Sequence, residues 1–165
     1  MSITGIVTDH IEELLHLIVR FTRARRRVLT DNIRCMSLAG FVPQDLAIQE
    51  FAEQLHGAIE EHRGHRRLML RDNQHVRFGP NGRLDLSTKT DDRARGLLAS
   101  DPPAYLEYQT QRLLENTLNE RVALAMLRRH TRGAPRWRTQ DLDLTRPCWP
   151  SRRWSLGDEK RDPQS

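Results

Sequence analysis

The sequence predicts a mainly α fold, with long N- and C-terminal helices pairing as a coiled-coil-like bundle around a small irregular or β-hairpin middle segment. Three observations carry this expectation. Apolar residues recur at helical spacing near both ends of the chain, and the middle switches to alternation. Only 37% of the 165 residues are hydrophobic and 5% aromatic. That composition is thin for a compact enzyme of this length and suits an elongated helical protein with a large surface.

The first helix follows from Ile11, Leu14, Leu15, Ile18, Phe21, Val28 and Leu29, ending near Ile33. Thr8 or Asp9 can cap it, and Glu12 and Glu13 suit the positive end of its dipole. Its apolar stripe reads as narrow, close to the a/d seam of a coiled coil. Arg20, Arg23, Arg25, Arg26, Arg27 and Arg34 make its second half basic, with Asp31 alone against them. Ser37, Gly40 and Pro43 then mark Met36 to Gln44 as a loop. Asp45 is the expected N-cap of a second helix with Ile48, Phe51, Ala52, Leu55 and Ile59 on one face, and Gly64 near its end.

From Leu68 the character changes. Val76, Phe78, Leu84 and Leu86 alternate with polar residues around Gly79, Pro80, Asn81 and Gly82, as in a β-hairpin. Asp91 to Pro103 reads as a polar linker closing on a proline pair. A third helix is expected from about Ala104 to His130, with Leu106, Leu113, Leu114, Thr117, Leu118, Leu124 and Leu127 near one side. Asp101 and the prolines start it, and Gly133 and Pro135 stop it. The remainder holds all three Trp and four of the eight Pro, without sustained periodicity. The expected division is therefore 1–67, N-terminal helices and loop; 68–103, variable middle; 104–132, C-terminal helix; and 133–165, an irregular or disordered tail.

Charge and chemistry narrow the function classes. The net charge is +5, and 25 of the 27 basic residues are Arg. No apolar run approaches the ~20 residues of a membrane-spanning helix. The N-terminus lacks the basic and long apolar regions of a cleaved secretory signal. Cys35 and Cys148 fit neither a metal spacing nor a disulfide framework. His62 and His65, with His56 two turns earlier, lack the convergent ligands of a zinc site. Glu60 and Glu61 are adjacent and cannot face each other as a catalytic pair. No phosphate loop, nucleophile elbow or ordered Ser/His/Asp set occurs. No enzyme activity, cofactor or small-molecule substrate is expected. The rival reading is an Arg-rich helical nucleic-acid binder, using the Arg20–Arg34 cluster with Arg63, Arg66, Arg67 and Arg71 against phosphates. It lacks a helix-turn-helix pattern or an aromatic-studded sheet.

The most informative segment starts at Arg27 and reads R-V-L-T-D-N-I-R-C-M-S-L-A-G-F-V-P-Q-D-L. It resembles the N-terminal signature of bacterial flagellar basal-body rod proteins, most closely the proximal rod family FlgB, which reads V-L-A-x-N-I-A-N-x-x-T-P-G-Y, three residues, then D-L. Val28, Leu29, Asn32, Ile33, Gly40, Phe41, Asp45 and Leu46 match in register without a gap. Arg34, Cys35, Leu38 and Ala39 depart from the family's residues. The stretch with Leu114, Glu115 and Asn116 is similar to the family's final helix, though less distinctively. In that family the final helix usually ends the protein, whereas this chain continues to Ser165.

The resemblance implies a structural subunit of the flagellar rod whose terminal helices pair, with a divergent middle segment between them. It implies assembly with other rod and basal-body proteins, export by the flagellar type III apparatus without a cleaved signal, and location in the periplasmic rod of the basal body. Ile11, Leu14, Ile18, Leu113, Leu124 and Leu127 are the residues expected to carry helix pairing. Arg20, Arg23, Arg25, Arg26 and Arg27 are expected to make charge-assisted contacts with acidic neighbours.

Overall fold

A long first helix buried on two nearly opposite faces is the spine of the molecule. The computed structural model describes residues 3–65, 68–79, 83–130 and 154–155. Along the chain run α1 (Ile3–Arg34), β1 (Gln44–Leu46), α2 (Ile48–His65), β2 (Val76–Phe78), β3 (Leu84–Leu86), β4 (Thr88–Thr90), α3 (Asp92–Ser100), α4 (Pro102–His130) and β5 (Trp154–Ser155). The fold is mainly helical, as the periodicity predicts. Thr8 and Asp9, the expected caps, lie inside α1, which already starts at Ile3.

Leu17, Phe21, Ala24 and Val28 form one stripe of α1, spaced four, three and four residues apart. They pack with Leu46, Phe51, Val76, Leu84 and Leu86 into the main core. Phe21 and Phe51 stack with centroids 4.1 Å apart and planes 5° from parallel. Leu15 and Val19 lie about half a helical turn away from that stripe and pack with Ala123 and Leu127 of α4. Ile18 touches both clusters. The burial of α1 is therefore much wider than the narrow seam expected from its sequence. A helix clamped from two sides needs two stripes, and residues such as Thr22 and Arg25 complete them.

The α1 and α4 helices run antiparallel. Leu15 and Val19 meet Ala123 and Leu127, whereas Asn32 lies beside Tyr105 and Gln109. The long pairing of the two terminal helices is thus present within one chain.

The hairpin appears where alternation places it. β2 and β3 pair antiparallel, with Val76 opposite Leu86 and Phe78 opposite Leu84, and the Gly79 amide closes the turn onto the Arg83 carbonyl at 2.8 Å. Val76, Leu84 and Leu86 are buried, the inward set of a period-two pattern. β5 adds to the free edge of β3, Asp85 opposite Ser155 and Leu86 opposite Trp154. Two residues of the segment expected to be an irregular or disordered tail, Trp154 and Ser155, thus pair with the body. The other residues of 131–165, including the expected stop at Gly133 and Pro135, lie outside the described residues.

Three further expectations are corrected. Asp45 does not cap α2; it lies in β1, which pairs antiparallel with β4 through Gln44–Thr90 and Leu46–Thr88. Asp91 to Pro103 is largely helix rather than linker. The Asp91 side chain accepts from the Ala94 amide, a standard N-cap, and Ala94 is buried. Cys35, expected to fit no disulfide framework, is disulfide-bonded. The chain's other cysteine, Cys148, lies outside the described residues. In α2, Phe51, Leu55 and Ala58 turn inward while Ile48, Ala52 and Ile59 are exposed.

Among the described residues no helix is long and apolar enough to cross a membrane. The loop after α1 turns at Gly40, whose φ is +74°. A Cβ at Gly40 or at Gly57 in α2 would meet no atom within 4 Å. The two positions therefore differ only in backbone conformation. Gly40→Ala should destabilise by about 1 kcal/mol, because an L side chain is strained in the left-handed region. Gly57→Ala should stabilise by ~0.8 kcal/mol through helix propensity. Urea midpoints of the two variants check both signs.

Candidate functional site

Where the last turns of α1 meet the first turns of α4, the chain buries polar groups alongside apolar ones such as Leu29. Asn32 is only 2% exposed. Its side-chain Oδ1 accepts from the Gln44 amide at 3.1 Å, and its Nδ2 donates to the Gln44 carbonyl at 2.7 Å. One carboxamide thereby satisfies both backbone groups of a residue at the start of β1, as a neighbouring strand would, and closes the loop onto the helix. The same Nδ2 donates to Gln109 Oε1 at 3.2 Å, and the Tyr105 hydroxyl donates to the Asn32 carbonyl at 2.9 Å. That carbonyl belongs to the last turn of α1, where acceptors need partners from outside the helix.

Beside this clip lies a closed set of charges. Asp45 accepts from Arg25 through both of its oxygens, Nε at 3.0 Å and Nη2 at 3.2 Å, and from its neighbour's amide at Leu46 at 2.8 Å. Arg112 donates Nη2 to Asp45 and Nη1 to Asp91. Asp91 in turn caps α3 through Ala94, and its backbone amide donates to the Pro43 carbonyl at 3.0 Å. Two carboxylates thus face two guanidiniums, joining α1, β1, the cap of α3 and α4. The Tyr108 ring lies beneath Arg112 and Arg93, 5.0 and 4.8 Å from its centroid, which adds cation–π attraction.

Farther along the seam, buried Glu120 accepts from Arg23 at 3.1 Å and Arg26 at 3.0 Å. Asn116 donates to the Thr22 carbonyl at 2.7 Å. The seam is therefore apolar at one end and hydrogen-bonded over the rest of its length.

The expected site residues distribute unevenly. Val28, Leu29, Asn32, Asp45 and Leu46 are buried; Ile33 and Phe41 are half-buried, and Gly40 is exposed. Of the expected pairing residues, Leu127 is buried and Leu124 packs beside it. Leu14, Ile18 and Leu113 are half-buried, while Ile11 is 39% exposed. Leu106, Leu114 and Leu118, assigned to the pairing side of α4 by sequence, are exposed. The face against α1 is instead Tyr105, Gln109, Asn116, Glu120, Ala123 and Leu127. The arginines expected to meet acidic neighbours meet them within the chain: Arg25 on Asp45, and Arg23 and Arg26 on Glu120. Arg20 and Arg27 are half-buried.

Sequence reasoning missed Tyr105, Gln109, Arg112 and Glu120, and it met Asn116 only as part of the stretch similar to the family's final helix. The spacing of these five, four, three, four and four residues apart, was a helical signal, but an apolar-only reading passes over a polar stripe. His56 is exposed, and His62 lies with its ring 4.9 Å from that of His10. Among the described residues no group of three or more His, Cys, Asp or Glu is placed to hold a metal. What the arrangement does chemically is lock. Each carboxylate in the seam is engaged by guanidinium donors, and the amides fasten one element to the next.

No family model, curated protein or solved structure matches the chain.

Burial pushes the Tyr105 phenol up from 10.0 to about 12, with the negative charge of Asp91 adding to the rise. Tyr108 is also raised, chiefly by burial, with the Arg112 guanidinium opposing. A raised value in the fold means the native state holds the proton more tightly than the unfolded chain. The stability from Tyr105 is then complete below pH 10 and fades as pH climbs toward 12. Tyr105→Phe should cost about 1 kcal/mol at neutral pH and flatten the alkaline decline, as urea melts across this range will read. Asp45→Asn should cost more, about 3 to 5 kcal/mol, because it leaves Arg25 buried without its counter-charge. The signature is a lower urea midpoint at unchanged slope.

Proposed function

We propose that this chain is a structural subunit of the bacterial flagellar basal-body rod, of the proximal type, assembling with neighbouring subunits through its terminal helices. The observation that carries the reading is the Asn32 clip. Three residues of the rod-like segment do distinct structural jobs here. Asn32 fastens the loop, Gly40 turns it in a left-handed conformation, and Asp45 anchors the strand that follows. A loop held this rigidly at the end of a long helical pair is a suitable joint for transmitting load from one subunit to the next.

Other features support the reading. The antiparallel α1–α4 pair brings both terminal helices together around a distinct middle segment, the plan on which rod subunits are built. Leu38 and Val42 on the loop are 54% and 42% exposed, offering apolar contacts to a neighbour. The disulfide at Cys35 suits the oxidising side of the inner membrane, where the rod stands. The partners are then other rod and basal-body proteins, reached after export by the flagellar type III apparatus. The rival nucleic-acid reading loses its main support, since Arg23, Arg25 and Arg26 spend their charge on Glu120 and Asp45.

Deleting the gene should abolish motility and leave basal bodies without a complete rod in electron micrographs. A wild-type copy should restore both, and Asn32→Leu should not. Intact motility with complete basal bodies in the deletion strain overturns the reading. Retention on DNA that falls with salt and with neutralisation of Arg25 to Arg27 would point to the rival.

A further inference from the structure

The α4 helix is apolar on two sides, and among the described residues only one is covered. Against α1 it buries Tyr105, Ala123 and Leu127. Leu114 and Leu118 lie on the opposite side, and Val122 and Met126 continue that row round toward one flank; the four are 60, 52, 55 and 50% exposed. Spaced four apart, they form a continuous ridge along the helix. A soluble helix with one covered face ordinarily carries polar residues on the other. A contiguous exposed ridge of large apolar side chains marks a contact surface.

The charges beside the ridge say what covers it. Glu107 and Glu115 are exposed on its N-terminal half; Arg121, Arg128 and Arg129 are exposed on its C-terminal half. We propose that this face binds a second copy of the chain, with the two α4 helices antiparallel about a two-fold axis near Leu118. In that arrangement Leu118 meets its own equivalent at the centre, and Leu114 lies beside Val122 of the second copy. Glu107 and Arg129 stand equally far on either side of Leu118, about 16 Å along the helix. Antiparallel pairing therefore brings Glu107 of each copy to Arg128 and Arg129 of the other, at both ends. A parallel pair would set arginines against arginines and glutamate against glutamate. Like charges brought together in this way oppose that pairing. A two-fold contact of this kind uses one patch twice and closes as a dimer. The proposal concerns the chain in solution and does not rest on the rod reading; either can fail without the other.

Sedimentation velocity and light scattering on the full chain, over a concentration series, test it. The wild type should be a dimer at micromolar to tens-of-micromolar concentration. Leu118→Arg, at a position already half exposed, should keep the helical circular dichroism and raise the dimer Kd ~tenfold or more. Glu107→Arg should weaken the dimer, and adding Arg129→Glu in the same chain should recover it. Orientation is read by cross-linking. A mixture of Leu114→Cys and Val122→Cys chains should form a covalent dimer on oxidation, and Leu114→Cys alone should not. A wild type that stays monomeric across the series overturns the proposal, as does a dimer unaffected by Leu118→Arg. Efficient cross-linking of Leu114→Cys to itself overturns the antiparallel arrangement.

Discussion

A carboxylate buried at Asp45 has to be met by cations, and meeting it organises this molecule. Arg25 comes from the spine helix and Arg112 from the last long helix, while Asp91 completes the set from the cap of α3. An ion removed from water costs several kcal/mol unless geometry and extra hydrogen bonds compensate. The compensation here draws on four elements distant in sequence, so none can shift without uncovering a charge. The Asn32 clip beside it works likewise, since a buried amide with two backbone partners has one workable position. Apolar packing supplies most of the stabilisation, and these polar contacts choose which packing is adopted.

That division of labour explains why the two faces of α1 differ. Toward Phe51 and the hairpin it presents Leu17, Phe21, Ala24 and Val28, where shape and volume govern. Toward α4 it becomes polar after Val19, with Thr22, Arg23, Arg26 and Asn32 each taking a partner. A purely apolar seam could slide by a turn at small cost. A seam carrying Asn116 on a carbonyl and Glu120 on two guanidiniums has a defined register. For a subunit proposed to stand in a load-bearing rod, fixed register between the terminal helices is the useful property.

Much of the fold was legible residue by residue. Leucine, isoleucine and phenylalanine spacing placed the long helices, and Val76, Phe78, Leu84 and Leu86 placed the hairpin because alternation has only one common structural meaning. Asp101 with two prolines located the start of α4, since its side chain accepts from the Ala104 amide. The candidate site was half legible. Asn32, Gly40 and Asp45 stood out through the rod-like segment, yet Asp45 looked like a helix cap. An aspartate before a helical stretch is a favoured cap, whereas here Asp45 pairs with β4 through its strand and turns its carboxylate to Arg25 and Arg112, partners far away in the chain. α3 was missed because its short polar sequence resembles a linker; its Asp91 cap was the available signal.

The sequence by itself determined where the long helices lie, where the chain alternates, and which short segment carries a distinctive pattern. Those are local properties, set by side-chain period, backbone freedom and capping. Tertiary structure decided which side of each helix is inside. Leu114 and Leu118 are as apolar as any core residue, yet Gln109, Asn116 and Glu120 occupy the buried face because α1 offers them carbonyls, amides and guanidiniums. Burial of a polar residue depends on its partner, and partners far away in the chain become visible only when the chain has folded.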